Sequence, residues 1–107
     1  MKKYILTTFS SPVEGREIAY NSWYDKIHLS DVLNIPEIKT AQRFKSFLQS
    51  SEVKSTYLTI YEIETDAIED LIHSFRSGSY PMRSSEAIAI ETVTIEFYEV
   101  IGDKLSA

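Results

Sequence analysis

Cysteine is absent from the 107 residues, which excludes disulfides, thiolate metal sites and a cysteine nucleophile. A chain without such staples suits a reducing compartment, so the expected location is the cytoplasm. Glycine and proline are scarce, at three each. That leaves no Gly-rich loop to cradle a phosphate, and no nucleotide cofactor is expected. It also sets the composition apart from low-complexity and disordered chains. The serine pairs Ser50-Ser51 and Ser84-Ser85 lack the glycines of a nucleophile elbow, which argues against serine hydrolysis. Positive charge is in deficit: eleven Lys and Arg are scattered among sixteen Asp and Glu, for a net charge of −5. No basic stripe is available to meet phosphates, so nucleic acid is not an expected partner. Long apolar runs are missing too. The N-terminal run ends at Ser10-Ser11-Pro12 with no small-residue cleavage site, so it reads as a strand rather than a signal peptide, and no membrane span is expected.

What is present describes one domain over 1–107, large enough for a core but burying only about two-thirds of its unfolded surface. Residues 3–9 read as a first strand, closed by Ser10-Ser11-Pro12, with Pro12 near the first turn of a helix that runs from 13 to 31 or 33. Pro36 requires the helix to have ended. A second strand is expected over 38–48, a turn at Ser50-Ser51-Glu52, and a third strand over 56–63. The third strand carries Leu58 and Ile60 on one face and Tyr57, Tyr61 and Ile63 on the other. Asp66 and Glu69 resemble a capping box, and Ala67, Ile68, Leu71, Ile72 and Phe75 form a helical stripe that Gly78 stops. The last strand is expected over 91–101, with Thr94, Glu96 and Tyr98 on one face. The order βαββαβ is that of an α+β, ferredoxin-like unit: a four-stranded antiparallel sheet with both helices on one side. The uncovered face of such a sheet mixes tyrosine, threonine and apolar residues, which suits closure by a second copy, so a homodimer is expected.

The segment Asn21 to His28 concentrates the chemistry. On a regular helix Tyr20, Trp23, Tyr24 and Ile27 share one apolar stripe, and Asn21, Asp25 and His28 lie together on its flank. An imidazole at the core's edge, with a carboxylate at i−3 to fix its tautomer, suits general acid/base work near neutral pH. Its place in the last turns of the helix favours the protonated form. The plainer reading is a surface Asp/His pair beside core aromatics, and spacing alone favours it. His73 with Glu69 reads as a solvated helix pair. Three ligands on one helix rarely converge, so Asp25, His28 and Asp31 are not taken as a metal site, and no cofactor is expected. Tyr57, Tyr61 and Tyr98 are placed on the sheet's open face as hydrogen-bond donors.

Trp23-Tyr24-Asp25-Lys26-Ile27-His28-Leu29, then Leu33, Pro36 and Thr40-Ala41-Gln42-Arg43-Phe44, resemble the pattern W-Y-D-x-x-H-L … P-G … A-R-R-[YF] of EthD-like proteins, in the dimeric α+β barrel superfamily. Phe97-Tyr98-Glu99-Val100-Ile101 is similar to that family's last strand. The resemblance implies His28 as acid/base, Asp25 as its orienting partner, and Trp23 and Tyr24 as family-pattern residues on the same helix. Glu37 stands where the pattern has glycine. Gln42 replaces one of two arginines, so any role for that cation in holding an anion falls to Arg43. The superfamily includes cofactor-free monooxygenases, cyclases, dehydratases, isomerases and proteins of no known activity. The expected function is cofactor-free proton transfer on a small aromatic or polyketide-like molecule by an isomerase, cyclase, dehydratase or lyase, with monooxygenation ranked behind. His28 and Asp25 carry the chemistry, and Asn21, Trp23, Tyr24, Arg43, Tyr61 and Tyr98 bind the substrate. The alternatives are a dimeric ligand-binding or accessory protein without turnover, and a helix cluster that is purely structural.

Overall fold

Alternation of apolar and polar residues along four β-rich runs lets each strand present one face to a shared core. A computed structural model, which describes residues 1–48 and 55–107, has strands β1 (Lys2–Pro12), β2 (Ile38–Lys45), β3 (Tyr57–Thr65) and β4 (Ile88–Glu99). One helix lies between β1 and β2, and a second, Ile68–Arg76, between β3 and β4. The strands form one antiparallel sheet in the order β2-β3-β1-β4, so the fold is ferredoxin-like βαββαβ, as expected. Among the described residues no helix is long and apolar enough to cross a membrane.

Register decides which side chains meet the helices. Tyr4 and Leu6 lie opposite Ile63 and Tyr61, and these four form a core cluster with Val32, Ile35, Ile38 and Leu71 from the helices and the β2 entry. Tyr20, Trp23 and Tyr24 build a second cluster on Tyr57 and Ala87. The opposite face of the sheet carries half-buried Ile5, Phe9, Leu58 and Ile60, with more exposed Phe44 and Tyr98 toward its edges. Among the described residues no helix covers that face.

Element boundaries depart from the sequence reading where local chemistry was outvoted. Ser10-Ser11-Pro12 does not end β1: Ser11 and Pro12 pair with Ala89 and Ile88 beyond a register shift in which one residue of β1, Ser10, faces four of β4, Ile90 to Val93. There the Ser11 amide donates to Thr92 Oγ1 at 2.8 Å, and that hydroxyl donates to the Ala89 carbonyl at 2.6 Å, so one side chain satisfies a backbone group on each strand at the irregularity. The helix then starts at Glu17 rather than at 13, after a turn in which Gly15 has φ +80°. β2 stops at Lys45 and β4 starts at Ile88, both earlier than expected. The turn expected at Ser50-Ser51-Glu52 lies outside the described residues. Asp66 does not cap the second helix; Ala67 occupies the cap position and its amide donates to Thr65 Oγ1 at 3.0 Å. The far end follows expectation. Gly78 has φ +70°, and the amides of Gly78 and Ser79 return to the carbonyls of Phe75 and Ser74 in a Schellman closure.

The first helix matters most for function. It runs as an α-helical segment Glu17–Trp23, a π-helical turn Tyr24–His28 and an α-helical segment Leu29–Leu33, with right-handed helical dihedrals at both junctions. A π turn closes its hydrogen bonds one residue later than an α turn. Residues beyond it therefore lag by up to about 100° behind their places on a regular wheel.

Candidate functional site

That lag moves His28 from the flank of the helix back onto the aromatic stripe. Its ring stacks on Trp23, with centroids 4.6 Å apart and planes at 22°, and meets the Tyr24 ring edge-on at 4.9 Å. Nδ1 is sealed from solvent and has no hydrogen-bond partner among the described residues, whereas Nε2 is not sealed. Burial lowers the imidazole below its ordinary pKa, and only the charge of Asp31 opposes this. The physical cause is visible in the geometry: protonation would strand a charged N–H between aromatic rings with no acceptor. The folded environment therefore favours a neutral histidine, contrary to the protonated form expected from the helix dipole.

His28 lines a cavity of about 510 Å³ between the first helix, the sheet and the segment after the second helix. Leu6, Val32, Phe75, Met82 and Ile95 form apolar walls, and Thr8 and Tyr61 contribute polar groups. Among the described residues no Asp, Glu, Lys or Arg lines it. The Tyr61 hydroxyl is buried without a partner, and burial pushes its phenol up so that it stays protonated. The Thr59 and Thr8 hydroxyls offset part of that penalty, although neither meets hydrogen-bond geometry with it.

Asn21 and Asp25 are drawn to a different centre. Arg43 Nη1 donates to Asp25 Oδ1 and Nη2 to Asn21 Oδ1, both at 2.8 Å. Its guanidinium lies 4.5 Å from the Tyr24 ring centroid, 5.2 Å from Tyr57 and 5.7 Å from Tyr20. The network continues from Asn21 Nδ2 to the Tyr57 hydroxyl, which donates to Glu17, and Glu17 also meets Lys45 at 3.4 Å. The Tyr57 bond and then Lys45 hold the Glu17 carboxyl below its ordinary range. Arg43 is thus a nearly buried cation in a tyrosine cage, its charge met by an exposed carboxylate. Arg43 does not line the His28 cavity.

Asp31 makes the third arrangement. Its carboxylate accepts the backbone amide of Arg83 at 2.9 Å, Nε at 3.1 and 3.2 Å, and Nη2 at 2.6 Å. These bonds hold the carboxyl well down, at about 2. The Arg83 carbonyl in turn accepts the Trp23 indole N–H at 3.1 Å.

The residues singled out in the sequence therefore separate. His28 and Tyr61 line the cavity, Trp23 and Tyr24 pack on the His28 ring behind it, and Tyr24 also faces Arg43. Asp25 and Asn21 do not bond the His28 ring, so Asp25 is not its orienting partner; the π turn carries the ring away and Arg43 takes the carboxylate. Tyr57 and Tyr61 lie under the helices rather than on the open face, because they share register with Ile63. Tyr98 does lie on the open face, 52% exposed, and is remote in register from the cavity side. Asp31 and Arg83 were missed. Asp31 enters the sequence reading only as a rejected third metal ligand beside Asp25 and His28, and its separation of fifty-two positions from Arg83 leaves no local signal.

No protein-family model and no curated protein matches the chain. Solved structures do. An ethyl tert-butyl ether d (EthD) family protein from Bacillus halodurans C-125 superposes with a TM-score of 0.60 at 14% identity, covering 98% of this chain and 100% of that one. The fold is that of an EthD family protein. A protein of unknown function from Nitrosomonas europaea gives a TM-score of 0.56 at 16% identity, over 100% of this chain and 97% of the other. At such identities the EthD-like likeness concerns the course of the backbone, and function has to be argued from the site.

Proposed function

We propose that this chain is a dimeric, cytoplasmic small-molecule protein whose His28 cavity binds an uncharged aromatic or polyketide-like molecule and moves a proton on it without a cofactor. The observation that carries this reading is the buried imidazole, unpaired at Nδ1 and shifted toward its neutral form by desolvation, at the edge of an apolar cavity of about 510 Å³. A neutral histidine can accept a proton from a carbon or hydroxyl acid at its unprotonated ring nitrogen and return it, as isomerisation, cyclisation, dehydration or lyase chemistry requires. The unused Tyr61 hydroxyl supplies the complementary group, a donor for a developing enolate oxygen. A cavity without ionic side chains favours a neutral ligand, because a charged one would enter with no counter-charge. Trp23 and Tyr24 orient the imidazole by stacking, a role first assigned to Asp25. Asn21 and Arg43 stiffen the helix that presents it.

A thermal-shift screen of uncharged phenols, naphthols and 1,3-diketones tests this. The expected result is a compound that raises Tm, perturbs the His28 ring protons in NMR spectra, and is converted by the wild type but not by His28→Ala with its fold intact. Binding without conversion in either protein leaves the accessory, non-catalytic reading in its place. A screen in which no compound touches the His28 resonances overturns the cavity as a ligand site.

A further inference from the structure

Among cavities, charged clusters and uncovered surfaces, the clamp between Asp31 and Arg83 has no part in the reading above. It is an unusually complete connection for two residues so far apart in sequence. Arg83 is fixed at its backbone amide, its backbone carbonyl and its guanidinium, and all three anchors are on the first helix. Asp31 is 8% exposed. The three residues before Arg83, Tyr80, Pro81 and Met82, line the His28 cavity. They lie in the irregular stretch between the second helix and β4. The Tyr80 ring packs on Phe75 of the second helix, at 5.5 Å, and the Arg83 clamp ties this wall to the first helix.

Asp31 is also the carboxylate whose charge reaches His28. Other titratable groups around the imidazole are phenols: Tyr24 from the same helix, Tyr61 from β3 and Tyr80 from the wall itself. β1 and the second helix contribute Leu6, Thr8 and Phe75, which do not titrate. We propose that Arg83 is a positioning residue for His28: its clamp on Asp31 closes one wall of the cavity and pairs the carboxylate whose charge reaches the imidazole. Closure and a neutral base then come together. When Arg83 leaves, water enters beside His28 and Asp31 stands uncompensated near it, and both changes favour the imidazolium. An open cavity would therefore hold a charged histidine unfit to accept a proton, and only the closed one would hold the base. This deepens the proton-transfer reading, but its test needs no ligand, so either can fail without the other.

The chain offers a clean measurement, since it contains two histidines and one tryptophan. NMR titration of the ring protons follows His28 and exposed His73 together, and His73 serves as an internal standard. In Arg83→Met the His28 pKa is expected to rise by roughly one pH unit, the size of one uncompensated carboxylate at close range, while His73 stays fixed. The Trp23 indole proton should exchange with solvent faster. In the double variant Asp31→Asn, Arg83→Met, most of the rise should disappear if the charge carries it. Should Arg83→Met not fold, Arg83→Lys replaces it, retaining a cation without the bidentate fork, and a smaller rise in the same direction is expected. Equal movement of both histidines, or a His28 pKa unchanged in a folded variant, overturns the proposal.

Discussion

His28 shows how burial sets chemistry at a single residue. Its folded pKa lies below the ordinary 6.5 because the ring is desolvated, so the unfolded chain binds the extra proton first as pH falls. Stability attributable to His28 is therefore fully present above the ordinary value and declines as pH drops through 6.5 toward the folded value, at up to about 1.4 kcal/mol per pH unit for one proton. Asp31 contributes in the same direction lower down, between its ordinary 3.8 and about 2. Denaturant unfolding at pH 7.5 and in mildly acidic buffer should show the wild type losing stability on acidification, and His28→Gln should flatten that slope while costing stability at both pH values through lost stacking. An unchanged slope in His28→Gln would mean that the imidazole is not held neutral by the fold. Arg43 illustrates the opposite economy. Its guanidinium is held under three tyrosine rings while Asp25 and Asn21 satisfy both terminal nitrogens, and a lone lysine there could not reproduce the fork.

At the scale of elements, the helix ends can be tested by substitution. Gly78 sits at φ +70° with open space around its α-carbon, so Gly78→Ala meets no clash and is penalised through backbone conformation alone, by about 1 to 2 kcal/mol. Gly102, with no positive φ, should accept alanine within about 0.5 kcal/mol. Equal effects at the two positions, read by chemical denaturation, would count against the Schellman closure. The second helix and the strands were legible because apolar periodicity and punctuation agreed there: Leu71 and Phe75 faced inward, and Gly78 ended the helix. The first helix was legible as an element but not in its phase. A wheel with 3.6 residues per turn placed Asp25, Asn21 and His28 together, and nothing in Tyr24-Asp25-Lys26-Ile27-His28 announces that the hydrogen bonds there skip a residue. Across the π turn His28 gains a stack on Trp23 of the same helix, and Asp25 gains Arg43 from β2. Such turns often occur at functional positions, and here the same distortion brings the imidazole to the cavity. The Asp31 and Arg83 clamp was invisible for a related reason: its partners meet only once the fold has formed.

For the whole molecule, the sheet poses a question that one chain does not answer. Its helix side is buried, yet its other side carries Ile5, Phe9, Leu58 and Ile60 on the two central strands, around Thr7 at the middle. A domain of this size gains proportionally more than a large one from burying a second apolar face, and a two-fold dimer presents the same patch from both partners. The homodimer proposed above therefore places the two sheets face to face. Ile60 is the sharpest probe because its register partners, Thr7 on β1 and Gln42 on β2, put it well inside the patch. In a two-fold interface one substitution acts twice. Losing two such side chains removes roughly 3 to 6 kcal/mol of apolar burial, and two lysines facing each other add repulsion, so Ile60→Lys should weaken association at least about 100-fold. Light scattering coupled to size exclusion is expected to give twice the chain mass for the wild type and a single chain mass for Ile60→Lys, with an unchanged far-UV spectrum. Because the His28 cavity is on the opposite side of the sheet, the histidine titration should be the same in monomer and dimer. A monomeric wild type would leave the open face without its proposed partner, while a His28 pKa that changes with the oligomeric state would show that the two faces of the sheet are coupled and that the cavity is completed only in the assembly.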